Sequence, residues 1–81
     1  MLAMSDRPVH LDRAADAAYF PIEPRLANGS AAEQVVIDRP RGTIVLDFDD
    51  AGHLLGVEVL GATELLTDAA RARLTDIADI V

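Results

Sequence analysis

The sequence contains no cysteine and no tryptophan, and its aromatic residues are one tyrosine and two phenylalanines. Without cysteine the chain forms no disulfide and no zinc–thiolate site. With so few aromatic rings it lacks the stacking surfaces on which single-stranded nucleic acids bind. Basic residues are also scarce: 7 stand against 14 acidic residues, which gives a formal net charge of −7. Because this charge repels phosphate backbones and anionic lipids, we expect no direct nucleic-acid or membrane partner and favour a basic partner protein.

Long apolar runs are lacking as well. No stretch approaches the roughly 18 apolar residues that span a bilayer, and the first residues lack the apolar centre of a signal peptide. We therefore predict a cytoplasmic protein. Hydrophobic residues still make up 51% of the 81 residues, which is enough for a core in a single domain. We predict a disordered segment at residues 1–7 and one α+β domain at residues 8–81, and either Met1 or Met4 could be the native start.

Alternation of apolar and polar residues predicts three short strands in the first half of the chain. They are Val9–Leu11, Ala17–Ile22 and Glu33–Asp38. The aspartate-rich segment between the first two favours a turn, because an aspartate carboxylate accepts hydrogen bonds from backbone N–H groups nearby. Pro21 should end the second strand or lie at a sheet edge, since proline has no backbone donor. The segment Glu23–Ala32 is predicted to be a loop.

The strongest local signal is Thr43–Leu60, where two alternating runs flank the acidic turn Asp49–Gly52. If this turn has four residues, the facing pairs are Phe48–His53, Leu46–Leu55, Ile44–Val57 and Thr43–Glu58. One face of the hairpin then becomes a core surface formed by Ile44, Leu46, Phe48, Leu55, Val57 and Val59. The other face is mixed in character and carries Asp47, Gly56 and Glu58.

After residue 66 the apolar period changes from that of a strand to that of a helix. Thr67 or Asp68 is a suitable N-cap, and apolar residues then recur at Ala70, Leu74, Ile77, Ala78 and Val81. This helix should cover the apolar sheet face or dock on a partner. The predicted fold is α+β: a five-stranded antiparallel meander with one C-terminal helix packed on one face.

The hairpin also contains part of a calcium-loop pattern. Four of its positions match, the first, third, sixth and twelfth, which are Asp47, Asp49, Gly52 and Glu58. The fifth position, which should supply an oxygen ligand, is Ala51. The strands would also hold Asp47 and Glu58 near opposite ends of the hairpin. We therefore predict a solvated turn, with no metal and no cofactor.

The sequence offers no nucleophile–base pair and no phosphate-binding glycine loop, so we predict that the protein is not an enzyme. The alternative is a small-ligand or metal-binding domain that uses Asp47, Asp49, Glu58 or His53. A glycine in the middle of a strand marks a place where another group approaches closely, and Tyr19 could pack over Gly56. The candidate partner face is therefore Asp47, Gly56, Glu58 and Tyr19. Exposed edge strands in so small a sheet favour pairing, so we expect a homodimer.

Two segments resemble a small bacterial family, the domain of unknown function numbered twenty-two eighty-three. Asp12–Phe20 resembles its opening D-x-x-A-D-x-x-Y motif, and Gly42–Leu60 resembles its closing G-x-x-V-D-x-D-x-x-G-x-x-x-G-I-E-I-L motif. The resemblance covers most of Val9–Thr63 and implies a compact antiparallel β domain. Members are often encoded beside small toxin-like proteins, so it also implies an antitoxin-like, partner-binding role. The sequence shows no DNA-binding element of the kind that many antitoxins carry.

Overall fold

A computed structural model describes residues 9–22 and 32–80. The predicted disordered segment 1–7 and most of the predicted loop, residues 23–31, lie outside the described residues. The elements in chain order are β1 (Val9–Asp12), β2 (Ala17–Pro21), β3 (Glu33–Arg39), β4 (Gly42–Phe48), β5 (Leu54–Leu60), α1 (Ala62–Leu65), α2 (Asp68–Ile77) and β6 (Ala78–Ile80).

The described strands form one six-stranded sheet in the order β3-β4-β5-β2-β1-β6. All neighbouring pairs are antiparallel except β1 and β6, which are parallel. The prediction of an α+β fold with a mostly antiparallel sheet is therefore confirmed, but a five-stranded antiparallel meander is wrong. In a meander β2 would pair with β3, whereas here β2 pairs with β5. Strands that follow one another in sequence usually become neighbours, and the long connection between β2 and β3 makes this departure from the usual order compatible with the chain.

The sixth strand follows directly from α2. Helical spacing predicts a helix that continues to Val81, but α2 ends at Ile77 and the chain becomes extended at Ala78. Ala78 then pairs with Val9 and Ile80 with Leu11. The residues Ala78–Ile80 fit both a helix and a strand. Ala78 continues the apolar stripe of the helix, and Ala78 and Ile80 also alternate with a polar residue, as in a strand. Pairing with the free edge of β1 decides between the two conformations.

The predicted start of the helix is confirmed. Thr67 is the N-cap of α2, and its Oγ1 accepts a hydrogen bond from the Ala70 N–H at 3.1 Å. Asp68 adds a negative charge in the first turn, where the helix dipole favours it. The preceding short helix α1 has no equivalent signal in its sequence.

The core is small and aliphatic. Its centre is Ala18, Val59 and Ala62, against which four partly buried side chains pack: Leu11, Phe20, Leu65 and Leu66. The helices α1 and α2 contact β4, β1 and β6, and Ala62, Leu65 and Leu66 also pack on Ala18 and Val59 of β2 and β5. The apolar residues of β3 stay exposed, so the apolar sheet face is only partly covered. The sequence predicts that six hairpin residues form the core, but of these Leu55 and Val59 are buried, while Ile44, Leu46, Phe48 and Val57 are only partly buried.

Candidate functional site

The acidic turn of the hairpin is closed by Asp49 and contains five residues, Asp49–His53. Asp49 Oδ1 accepts hydrogen bonds from the N–H groups of Ala51 at 2.9 Å and His53 at 2.8 Å, and Asp49 Oδ2 lies 3.2 Å from His53 Nδ1. These hydrogen bonds lower the pKa of Asp49, and the bond from the backbone N–H of His53 has the largest effect. Gly52 has a φ of 88°, the left-handed conformation that glycine adopts most readily. Asp49 and His53 are therefore parts of the turn's own hydrogen-bond network.

The pairing of β4 with β5 departs from the prediction by one residue beside the turn and by two further along. Phe48 pairs with Leu54 instead of His53, and Leu46 pairs with Val57 instead of Leu55. The turn is one residue longer than predicted, and the register shifts once more between Asp47 and Phe48, where Leu55 is an extra residue on β5. Beyond this shift, Ile44 pairs with Val59 and Thr43 with Leu60.

Beyond the bulge, the two shifts together leave the faces as predicted. Beside the turn the prediction is wrong, because Leu54, and not Leu55, is the residue that pairs with Phe48 and shares its face. A slip of one residue would exchange the faces of a strand, but a slip of two restores them. Asp47 pairs with Gly56 and Val45 pairs with Glu58, so Asp47 and Glu58 are diagonal neighbours on the mixed face. The prediction that they lie near opposite ends of the hairpin is therefore wrong.

Tyr19 lies across this diagonal pair. Its strand neighbour on β5 is Glu58, and a Cβ atom added at Gly56 would overlap the Tyr19 hydroxyl oxygen. The tyrosine side chain thus passes over Gly56, as the sequence predicts, toward the position of Asp47. Burial raises the pKa of Tyr19, and the negative charges of Asp47 and Glu58 raise it further. The four predicted site residues form one cluster, which we call the acidic–tyrosine patch: Tyr19, Asp47, Gly56 and Glu58.

Few groups offset the negative charges of the two carboxylates in the patch. Asp47 Oδ1 accepts a hydrogen bond from Gln34 Nε2 at 2.8 Å, a neutral donor that sequence reasoning missed. Its alignment opposite Asp47 across β3 and β4 is the only signal that could have found it. Within residues 9–22 and 32–80 no arginine or histidine forms an ion pair with Asp47 or Glu58. Both side chains are partly buried, so water screens their mutual repulsion incompletely.

Asp16 lies outside the patch and fixes the start of α1. Its carboxylate accepts hydrogen bonds from the Thr63 N–H at 3.0 Å and the Thr63 Oγ1 at 2.8 Å. Its carbonyl oxygen accepts from the N–H groups of Gly61 and Ala62, both at 2.9 Å. Asp12 similarly accepts from the Ala15 N–H at 3.1 Å, which confirms the predicted aspartate turn. These two motif aspartates therefore have structural roles in this chain.

A shallow cleft of about 160 Å³ lies between α2 and the β1–β6 end of the sheet. Its walls are mostly apolar, from Leu11, Leu66, Leu74 and Ile80. This volume is well below that of a cleft for a drug-sized ligand, which is about 300 Å³ or more. Among the described residues no group of three His, Asp or Glu side chains is arranged to hold a metal ion. In the same part of the chain, no helix is long and apolar enough to cross a membrane.

Comparison with known proteins identifies one family. No curated protein and no solved structure matches the chain significantly. A family model described as "Protein of unknown function (DUF2283)" matches residues 9–62, about two thirds of the 81 residues. The match spans β1 to β5 and reaches the first residue of α1, so it includes every residue of the acidic–tyrosine patch. The chain therefore belongs to the DUF2283 family of proteins of unknown function.

Proposed function

We propose that this protein is a non-enzymatic protein-binding module, whose acidic–tyrosine patch binds a lysine or arginine side chain of a basic partner protein. The observation that carries the proposal is the pair of partly buried carboxylates, Asp47 and Glu58, which form no ion pair among the described residues. A cation that approaches between them gains attraction from both charges. It also relieves the repulsion between them.

Tyr19 adds a second attraction to the same position. An ammonium or guanidinium group near an aromatic face gains about 0.5 to 2 kcal/mol from the ring quadrupole, with the larger values in desolvated sites. Tyr19 is protonated and neutral around pH 7, as the ordinary tyrosine pKa of about 10 requires, and burial raises its pKa further. The patch thus offers a π face and two acceptor groups, which is a set suited to binding a cation.

The charge of the whole chain supports the same class of partner. A net charge of −7 accelerates encounter with a basic protein and slows encounter with an acidic one. Within this class we propose an antitoxin-like role, in which the chain masks a basic partner. The proposed encounter takes place in the cytoplasm, whose reducing conditions suit a sequence without cysteine.

The first experiment measures binding of an arginine-rich peptide by NMR. The amide signals of Tyr19, Gly56 and Glu58 should move most, and an acidic peptide of the same length should leave them in place. The double variant D47N/E58Q should weaken binding about tenfold or more, because each close charge pair contributes on the order of 1 kcal/mol. The control is D50N, which removes one negative charge from an exposed turn position and is matched to each of the single variants D47N and E58Q. Signal changes elsewhere, or equal binding by D47N/E58Q, would contradict the proposal.

The second experiment concerns the partner itself. Affinity purification of the tagged chain from its native host should yield a basic protein at fixed stoichiometry, measured as the mass of the intact complex. The complex should be lost with D47N/E58Q and kept with D50N. Recovery of the chain alone would count against the proposal, and heat released on titration with calcium, zinc or manganese would favour metal binding in its place.

A further inference from the structure

Strand β3 has an unusual combination of position and composition. It forms one end of the sheet, and within the described residues it pairs only with β4. All seven of its residues are exposed, including three consecutive apolar ones: Val35 at 38%, Val36 at 58% and Ile37 at 38%. Natural edge strands are usually short, charged or interrupted by proline, because an exposed apolar edge is a template for pairing. β3 has charges only near its ends.

The sequence of β3 is complementary to itself when it is read antiparallel. Placing Val36 opposite Val36 of a second copy pairs Val35 with Ile37, Gln34 with Asp38, and Glu33 with Arg39. The centre of the strand is then apolar on both sides, and each end carries one pair of opposite charges. Within the described residues neither Glu33 nor Arg39 forms an ion pair in its own chain. In the described part of the chain, both charges are therefore unpaired and can pair with a second copy.

The backbone permits the same register. Along an edge strand, the N–H and C=O groups of alternate residues point away from the sheet. In the proposed register, odd-numbered residues of one copy face odd-numbered residues of the other, and even-numbered residues face even-numbered ones. The residues whose N–H and C=O groups point outward therefore face each other in the two copies. Val35 and Ile37 share a face with Leu46 and Ile44, and a two-fold axis perpendicular to the sheet keeps that face on the same side in both copies. The partly covered apolar faces of the two sheets then become one continuous surface.

We propose that a second copy of this chain binds along β3, with the two β3 strands antiparallel and centred on Val36. The contact joins two six-stranded sheets into one, and is isologous, as in most symmetric dimers. It uses the edge of the sheet, and it neither requires nor excludes the proposed role of the acidic–tyrosine patch.

The first test is the mass of the protein in solution by sedimentation equilibrium. At about 100 μM, a concentration at which even a weak dimer is populated, the weight-average mass should rise above the 8.7 kDa of one chain toward twice that value. A monomer at this concentration would overturn the proposal.

The second test uses charge reversal at the ends of β3. E33R and R39E each place two like-charged pairs across the two-fold axis, and each should raise the dissociation constant about tenfold. R73E is the matched control, because Arg73 is exposed on α2, near the opposite edge of the sheet. A dimer that E33R and R39E weaken no more than R73E does must use another surface, and the proposed contact would be wrong.

The third test asks whether the register is correct. The double variant E33R/R39E restores both opposite-charge pairs and should dimerise within about twofold of the natural chain. A mixture of E33R with R39E should form a heterodimer in preference to either homodimer. In the heterodimer each end contact joins an arginine of one chain to a glutamate of the other, whereas in both homodimers each end contact joins like charges. Native mass spectrometry counts the three species, and circular dichroism of each variant verifies its fold. A statistical mixture of the three would refute this register.

Discussion

Replacing Asp16 should separate three contributions to stability at the junction between the β1–β2 turn and α1. They are the hydrogen bonds to Thr63, the left-handed backbone conformation and the negative charge. Asp16 has a φ of 53°, a conformation that asparagine, aspartate and glycine tolerate better than alanine. Its carboxylate makes two hydrogen bonds to Thr63. We predict that stability falls in the order natural chain, D16N, D16G, D16A.

The magnitudes follow from these contacts. Each lost hydrogen bond costs about 1 kcal/mol, so D16G should lose about 2 kcal/mol. Alanine has a further cost of about 1–2 kcal/mol in the left-handed region, and the greater freedom of glycine in the unfolded chain offsets part of the difference. D16A should therefore lose about 3 kcal/mol. Asparagine keeps both hydrogen bonds, since its oxygen accepts from the Thr63 N–H and its amide donates to Oγ1, so D16N should lose only about 0.5 kcal/mol.

Equilibrium unfolding in urea, followed by circular dichroism, measures these differences. A chain of this length has a total stability of roughly 4–12 kcal/mol, so D16A should unfold at a clearly lower urea concentration while the slope of the transition stays constant. T63V supplies a matched check, because it removes the Oγ1 bond alone and should lose about 1 kcal/mol. A D16A protein as stable as the natural chain, or a D16N protein as unstable as D16A, would refute the assignment of Asp16 as the residue that fixes α1.

Three further predictions concern the patch and the turn. G56A should lower stability by about 1–2 kcal/mol, because the new methyl group occupies the place of the Tyr19 hydroxyl and the ring must move; unchanged urea unfolding would contradict this. Tyr19 is the only tyrosine in the chain, so tyrosinate absorbance reports its pKa directly. The titration midpoint should lie above the ordinary value of 10.0. It should move down in D47N/E58Q, but not fully, since burial is the larger cause; a midpoint insensitive to both substitutions would refute the arrangement. The pKa of Asp49 is lowered in the folded chain, so its contribution to stability is present above the ordinary carboxyl pKa and is lost as the pH falls through its folded pKa. D49N should therefore flatten the acid side of the stability profile, and an unchanged acid limb would show that the turn network does not titrate.

Local patterns predict much of this fold. The five longer strands and the start of α2 follow from alternation, helical spacing and the Thr67 cap, all of which depend on neighbours in sequence. The partners of β2 and β6 could not be predicted in this way. They depend on which distant edges meet, and nothing in Ala78–Ile80 distinguishes three more helical residues from three residues of an edge strand.

The patch is predictable in composition but not in geometry. Alternation places Asp47, Gly56 and Glu58 on one face, and the glycine suggests a tyrosine above it. The distance between the two carboxylates does not follow from alternation, because turn length and bulges change the pairing without changing the alternation. Sequence reasoning gives Asp16 only a turn role, since its contacts with Thr63 are 47 positions away in sequence.

The extra residue at Leu55 has a consequence for how this hairpin tolerates changes in length. Deleting Leu55 would only remove the bulge, because Phe48–Leu54 and Asp47–Gly56 then become successive pairs and every other pair between β4 and β5 is kept. Deleting Val57 would instead put Glu58 opposite Leu46, on the apolar face. The hairpin should therefore accept the loss of one residue at Leu55 and reject the same loss further along β5.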